Sequence, residues 1–169
     1  MADRNNHYEA AFEAYLRHRA VPYVAVDEAR RALFAEVRLK SLDFIVYSRQ
    51  ERNLLVDVKG RRFPSGGGRT RRLWENWATA DDIDCLARWE EVFGSGFHAV
   101  LVFAYNIVEA RYLRLFPDRF EHRARQYGFL AVVLNDYRAH MKTRSPGWDT
   151  VSLPGRVFRE QAQPFHALL

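Results

Sequence analysis

One cysteine, Cys85, leaves the chain unable to form an internal disulfide, so it lacks the brace that small secreted domains rely on. Its six histidines, at 7, 18, 98, 122, 140 and 166, are scattered without zinc-ligand spacing, which argues against a structural zinc module. Hydrophobic runs are short. The longest, around His98–Ile107, falls well below the ~20 residues that cross a bilayer. The first six residues are polar and offer no signal-peptide core. The run Ser65–Gly68 lacks the Gly-Lys-Ser/Thr that would make it a phosphate-binding P-loop. These absences lead to the expectation of a soluble cytoplasmic protein with no membrane partner.

What is present is globular. Of the 169 residues, 48% are apolar or aromatic and 28% charged, a balance that can bury a core and is foreign to disordered chains. The net charge of +5 rests on 26 basic residues, most of them arginine. A modest positive excess suits a polyanion without requiring one. The length fits one domain over residues 1–169, with a core at about 7–107 and C-terminal strands, a short helix and a packed tail at 108–169.

The hydrophobic pattern predicts the elements. Asn5 or Asn6 can cap a first helix in which Tyr8, Phe12, Tyr15 and Leu16 make one apolar stripe. Glu9 and Glu13 lie one helical turn apart on the edge of that stripe. After Pro22, Tyr23–Asp27 alternates as a strand does, and Glu28–Leu39 reads as an ambiguous strand. Ser41–Tyr47 and Asn53–Lys59 read as a hairpin around Ser48–Arg52, with Gly60 ending the second strand. Arg61–Arg72, with its glycine run, reads as a mobile basic loop. Asp81–Phe93 is a helix, His98–Tyr105 a central strand covered on both faces, Ala110–Phe116 and Phe129–Leu134 strands, and Asp136–Met141 a short helix. The tail from Lys142 reads as packed loop. Helix, strands, helix, strand implies an α/β/α sandwich around a mixed sheet.

The hairpin carries the chemistry. Residues two apart on a strand share a face, so Asp57 and Lys59 point together, away from Leu54, Val56 and Val58. A symmetric loop pairs Tyr47 with Asn53 and sets Asp43 opposite Asp57, where Cβ atoms stand ~4.5–5.5 Å apart. Two carboxylates held so close repel each other, and a divalent cation such as Mg²⁺ or Mn²⁺ offsets the cost. It would polarise a phosphoryl oxygen and activate water, while Lys59 orients the attacking water or stabilises developing charge. Glu13 is favoured over Glu9 as a further metal ligand, because it lies nearer the helix end that leads into the next strand. Arg61, Arg62, Arg69, Arg71 and Arg72 would meet a nucleic-acid backbone crossing the site, although a solubilising loop explains them equally well. Trp74 and Trp77, three apart, are expected to pack against the core, with stacking on bases as the alternative, and Cys85 to be a buried hydrophobe. For Asp57 and Lys59 the competing account is a partly exposed ion pair of little consequence.

Asp43, then thirteen residues, then Asp57-Val58-Lys59, resembles the PD-(D/E)XK motif of restriction-endonuclease-like nucleases. The element order over Tyr8–Tyr105 is similar too, although Leu42 stands where that motif has proline. The resemblance implies a metal-dependent endonuclease acting on DNA. Asp43, Asp57 and Glu13 would be metal ligands and Lys59 the catalytic helper, with a homodimer if both strands are cut. The opening His7–Glu13 also resembles a bacterial family named for an HYExAFE start, which adds no chemistry but singles out Glu9 and Glu13. The alternative is a non-catalytic nucleic-acid-binding or assembly protein on the same fold.

Overall fold

The structure, a computed structural model, describes residues 6–26, 40 and 42–169. The segment Glu28–Leu39 and the alternative cap Asn5 lie outside the described residues. Helix α1 spans His7–His18, capped by the Asn6 side chain, which accepts from the Tyr8 amide at 3.1 Å. Its buried stripe is Ala11, Phe12, Tyr15 and Leu16.

Strands β1 (Tyr23–Ala25), β2 (Phe44–Val46) and β3 (Asn53–Phe63) pair antiparallel in succession. A short β4 (Ala78–Thr79) leads into α2 (Ala80–Phe93), which carries the chain over to β5 (Phe97–Ile107), parallel to β3 along its whole length. Next come β6 (Arg119–His122), β7 (Arg125–Val133), α3 (Leu134–His140), β8 (Lys142–Ser145), β9 (Thr150–Ser152), α4 (Gly155–Gln161) and β10 (Gln163–Pro164). The main sheet runs β1-β2-β3-β5-β7-β10 with β6 also on β7, and a small sheet runs β4-β9-β8.

Two cores sit on the two faces of the main sheet. Under α1, Phe12 meets the rings of Phe44, Phe129 and Phe165 with centroids 4.9–5.3 Å apart, over Val56, Val58 and Val102. On the other face Leu55, Leu101 and Phe103 pack against Ile83 and Leu86 of α2, Leu134 of α3 and Phe158 of α4. Fully burying a side chain such as Phe12 contributes about 1.5–3 kcal/mol. The result is an α/β/α sandwich around a mixed sheet, as the order of predicted elements implies.

Some elements depart from expectation. Strand β3 does not stop at Gly60. A Cβ there would lie 2.1 Å from the Tyr8 ring, so glycine admits α1 against the sheet while the strand continues to Phe63. Residues 65–72 are closed rather than loose. Ser65 and Arg72 exchange two backbone hydrogen bonds of 2.9 and 3.0 Å, with Gly66 and Gly68 at positive φ between them. Ala110–Leu115 is a 3-10 helix rather than a strand, and β7 is the strand that pairs beside β5. The tail holds strands and a helix, its prolines placed where each is tolerated: Pro146 starts a 3-10 turn, Pro154 caps α4 and Pro164 lies on edge strand β10. Among the described residues no helix is long and apolar enough to cross a membrane.

Candidate functional site

The site forms where β2 and β3 part. The Asp43 amide donates to the Val56 carbonyl at 2.9 Å, and its Oδ2 accepts from the Val58 amide at 2.7 Å. The two bonds bracket Asp57, so backbone and side chain of Asp43 together hold it across from that residue. Its side chain takes the Val58 amide, and regular strand β2 begins one residue later, at Phe44. Asp43, Asp57 and Lys59 all line one cavity of about 340 Å³, with Glu9, Asn6, Lys40 and Asp82.

The Lys59 ammonium lies 2.9 Å from Asp57 Oδ2 and 2.9 Å from Asp82 Oδ2. The side chains of Lys59, Asp57 and Asp82 are only 18%, 15% and 14% exposed, so these are not the screened surface pairs of the competing account. Burial, then the Asp57 and Glu9 charges, push the Asp43 carboxyl well above the usual carboxylate range. Burial raises Asp57 as well, against the pull of Lys59. Burial works to lower Lys59, but Asp57 and Asp82 outweigh it and keep the ammonium above its ordinary value. Asp82, although burial works to raise it, is held far below the usual range by Lys59 and Lys40.

Asp82 was not legible as a site residue. It belongs to the capping box of α2, in which Thr79 Oγ1 accepts from the Asp82 amide at 3.1 Å and Asp82 Oδ2 accepts from the Thr79 amide at 3.2 Å. The Thr79-x-x-Asp82 signature stands in the sequence, but its proximity to Lys59 depends on how α2 crosses the sheet. Lys40 is the second omission, 3.0 Å from Asp82 and 2.9 Å from Asp81.

The two glutamates separate. Glu9 faces the cavity, whereas Glu13 pairs with Arg17 at 2.9 Å and accepts from the Tyr23 hydroxyl at 2.8 Å. Tyr23 pairs with Val46, at the far end of β2 from Asp43, so the C-terminal half of α1 points away from the site. That is opposite to the direction the sequence argument favoured.

The arginines separate too. Arg61 is folded inward, its guanidinium 4.0 Å above the Trp77 ring and donating to the Gly60 and Trp77 carbonyls. Arg71 pairs with Glu109 at 2.9 Å and Arg72 with Glu75 at 3.7 Å. Arg62 and Arg69 are exposed. Trp74 packs on Phe63, at 4.7 Å, and on Phe116. Cys85 is buried, and burial raises its thiol pKa, as suits an inert side chain.

Asp43, Asp57 and Glu9 are hard oxygen donors facing one space, with two of them raised in pKa where a cation would offset the strain, and this donor set fits a divalent ion such as Mg²⁺. Among the described residues no three such side chains are yet gathered at ligand spacing. In their place the Lys59 ammonium supplies the compensating charge.

The chain superposes on the Holliday junction resolvase Hjc of the archaeal hyperthermophile Archaeoglobus fulgidus with a TM-score of 0.55, covering 96% of this chain and 98% of that one. Sequence identity is 12%, so the likeness is one of fold, and that fold is the restriction-endonuclease-like one. No protein-family model matches the chain, and no curated protein matches it by sequence.

Proposed function

We propose that this protein is a divalent-metal-dependent nuclease that hydrolyses phosphodiester bonds in DNA. The observation that carries the reading is the convergence of Asp43, Asp57 and Lys59 in one cavity on a nuclease-like fold. Asp43 and Asp57 would hold the cation, Mg²⁺ or Mn²⁺, with Glu9 as a further oxygen ligand. When bound, such a cation polarises a phosphoryl oxygen and lowers the pKa of water. Lys59, kept charged by its two aspartates, sits beside Asp57 to meet the charge that develops on the phosphoryl oxygens. DNA is the favoured substrate because the fold is similar to that of a junction resolvase. Exposed Arg62 and Arg69, beyond the end of the site, supply backbone contacts. One such centre cuts one strand, so a double-strand cut requires a homodimer or two successive nicks.

A second reading, a DNA-binding protein without catalysis, is favoured by one observation: Lys59 is already ion-paired with both Asp57 and Asp82 where a cation would bind. Incubating plasmid and branched oligonucleotides with Mg²⁺ and with chelator separates the two. The nuclease reading expects Mg²⁺-dependent cleavage by the wild type that falls at least 10²-fold in Asp57→Ala and Lys59→Ala. Equal products from all three proteins reject it, and salt-sensitive binding with no cleavage favours the second reading.

A further inference from the structure

Lys59 has two partners, and they differ in what else they do. Asp57 is one of the two carboxylates assigned above to the cation, and this inference rests on that assignment. A carboxylate drawn to a divalent ion has less charge to offer an ammonium, and the ion repels the ammonium directly. Lysine carries its charge on a flexible stem, and Lys59 lies at the wall of an open cavity, so the way to solvent is short. Both oxygens of Asp82 are already engaged by other partners. It is built into the first turn of α2, its Oδ2 oriented by the Thr79 amide at 3.2 Å and its Oδ1 by Lys40 at 3.0 Å. Neighbouring Asp81 cannot substitute, being 58% exposed and turned toward Lys40.

We infer that Asp82 is the positioning residue for Lys59, anchoring its ammonium in the cavity when Asp57 turns to the cation. Metal binding then hands Lys59 from a shared aspartate pair to Asp82 alone, and the ammonium stays beside the phosphoryl group.

The sequence makes this testable without reference to turnover, because Lys40, Lys59 and Lys142 are the only lysines. Lysine labelled with ¹³C and ¹⁵N gives three side-chain signals, assigned with Lys40→Arg and Lys142→Arg. In the wild type, saturating Mg²⁺ should leave the Lys59 signal well separated from that of exposed Lys142. In Asp82→Asn, which keeps an acceptor for the Thr79 amide, the metal-free Lys59 signal should remain engaged through Asp57. Mg²⁺ should then move it to the Lys142 position. Asp82→Glu should restore the wild-type pattern. Thr79→Ala, which removes the cap and a 3.5 Å contact from Lys40 but keeps the Thr79 amide that Asp82 accepts from, should lower Tm without moving the Lys59 signal. In cleavage, Asp82→Asn should lower kcat by about 10–100-fold with KM little changed. A Lys59 signal that stays put in Asp82→Asn with Mg²⁺ overturns the positioning role and leaves the nuclease reading standing. A wild type in which no lysine signal responds to Mg²⁺ and no DNA is cut overturns both.

Discussion

The Asp43 carboxylate accepts a hydrogen bond from the Val58 amide at 2.7 Å, and this bond aims a second acid at Asp57 from across the parting strands. The strand pair thus holds two buried carboxyls against their own repulsion. That arrangement is costly in the absence of a compensating cation.

Its cost should appear in the pH dependence of stability. Asp43 and Asp57 are both raised by burial, so the folded chain keeps their protons to higher pH than the unfolded chain does. Their contribution is therefore full below the ordinary carboxylate range and lost as pH rises through the raised values. In chelator, Asp43→Asn should stabilise the protein at pH 7 by about 1 kcal/mol, seen as roughly 2–4 °C in Tm. The gain should vanish near pH 4. Saturating Mg²⁺ should reverse the order at pH 7, raising Tm for the wild type only. Thermal melts across pH with and without Mg²⁺ read all three outcomes, and a destabilised Asp43→Asn in chelator would count against the buried-repulsion account.

Glu9 and Glu13 should behave differently. Glu9→Ala should raise the Mg²⁺ concentration for half-maximal cleavage by about 10-fold or more, whereas Glu13→Ala should leave it unchanged. Isothermal titration of Mg²⁺ into both variants provides the check, and equal affinities would refute the division.

Among the arginines, Arg62→Ala and Arg69→Ala should each weaken DNA binding and lower the slope of log affinity against log salt by about 1. Arg61→Ala should instead lower Tm, because it strips the cover from Trp77 and frees the Trp77 carbonyl. Binding isotherms at several salt concentrations, paired with melts, distinguish the two behaviours.

Gly60→Ala should destabilise the protein by about 1–3 kcal/mol, since its Cβ would stand 2.1 Å from the Tyr8 ring. A shift of Tyr8 carries Glu9 with it, so Mg²⁺ affinity should fall together with Tm. Trimming the obstructing ring in Gly60→Ala/Tyr8→Ala should relieve the clash, and a double variant no better than additive would exclude this contact as the cause.

Much of this was legible in the sequence because it is local. Strand alternation set Asp57 and Lys59 on one face, and loop symmetry set Asp43 across from Asp57. Helical spacing marked the Phe12 stripe, and the apolar run of β5 marked the sheet centre. What was not legible depends on how elements cross. Whether Glu9 or Glu13 nears the hairpin turns on the direction of α1 over the sheet, which periodicity does not encode. Asp82 reads as a helix cap until α2 is laid over β3. Arg61 reads as part of a basic run, and only packing reveals that Trp77 claims it. Ala110–Leu115 holds no β-branched residue, and its Ala, Leu and Arg content favours the helical turn it forms.

The most direct test of the central claim is anomalous scattering from crystals soaked in Mn²⁺. The account predicts a single strong peak between the Asp43 and Asp57 carboxylates, absent in Asp57→Ala. A saturating soak that leaves this cavity empty, or places the ion elsewhere on the chain, would contradict it.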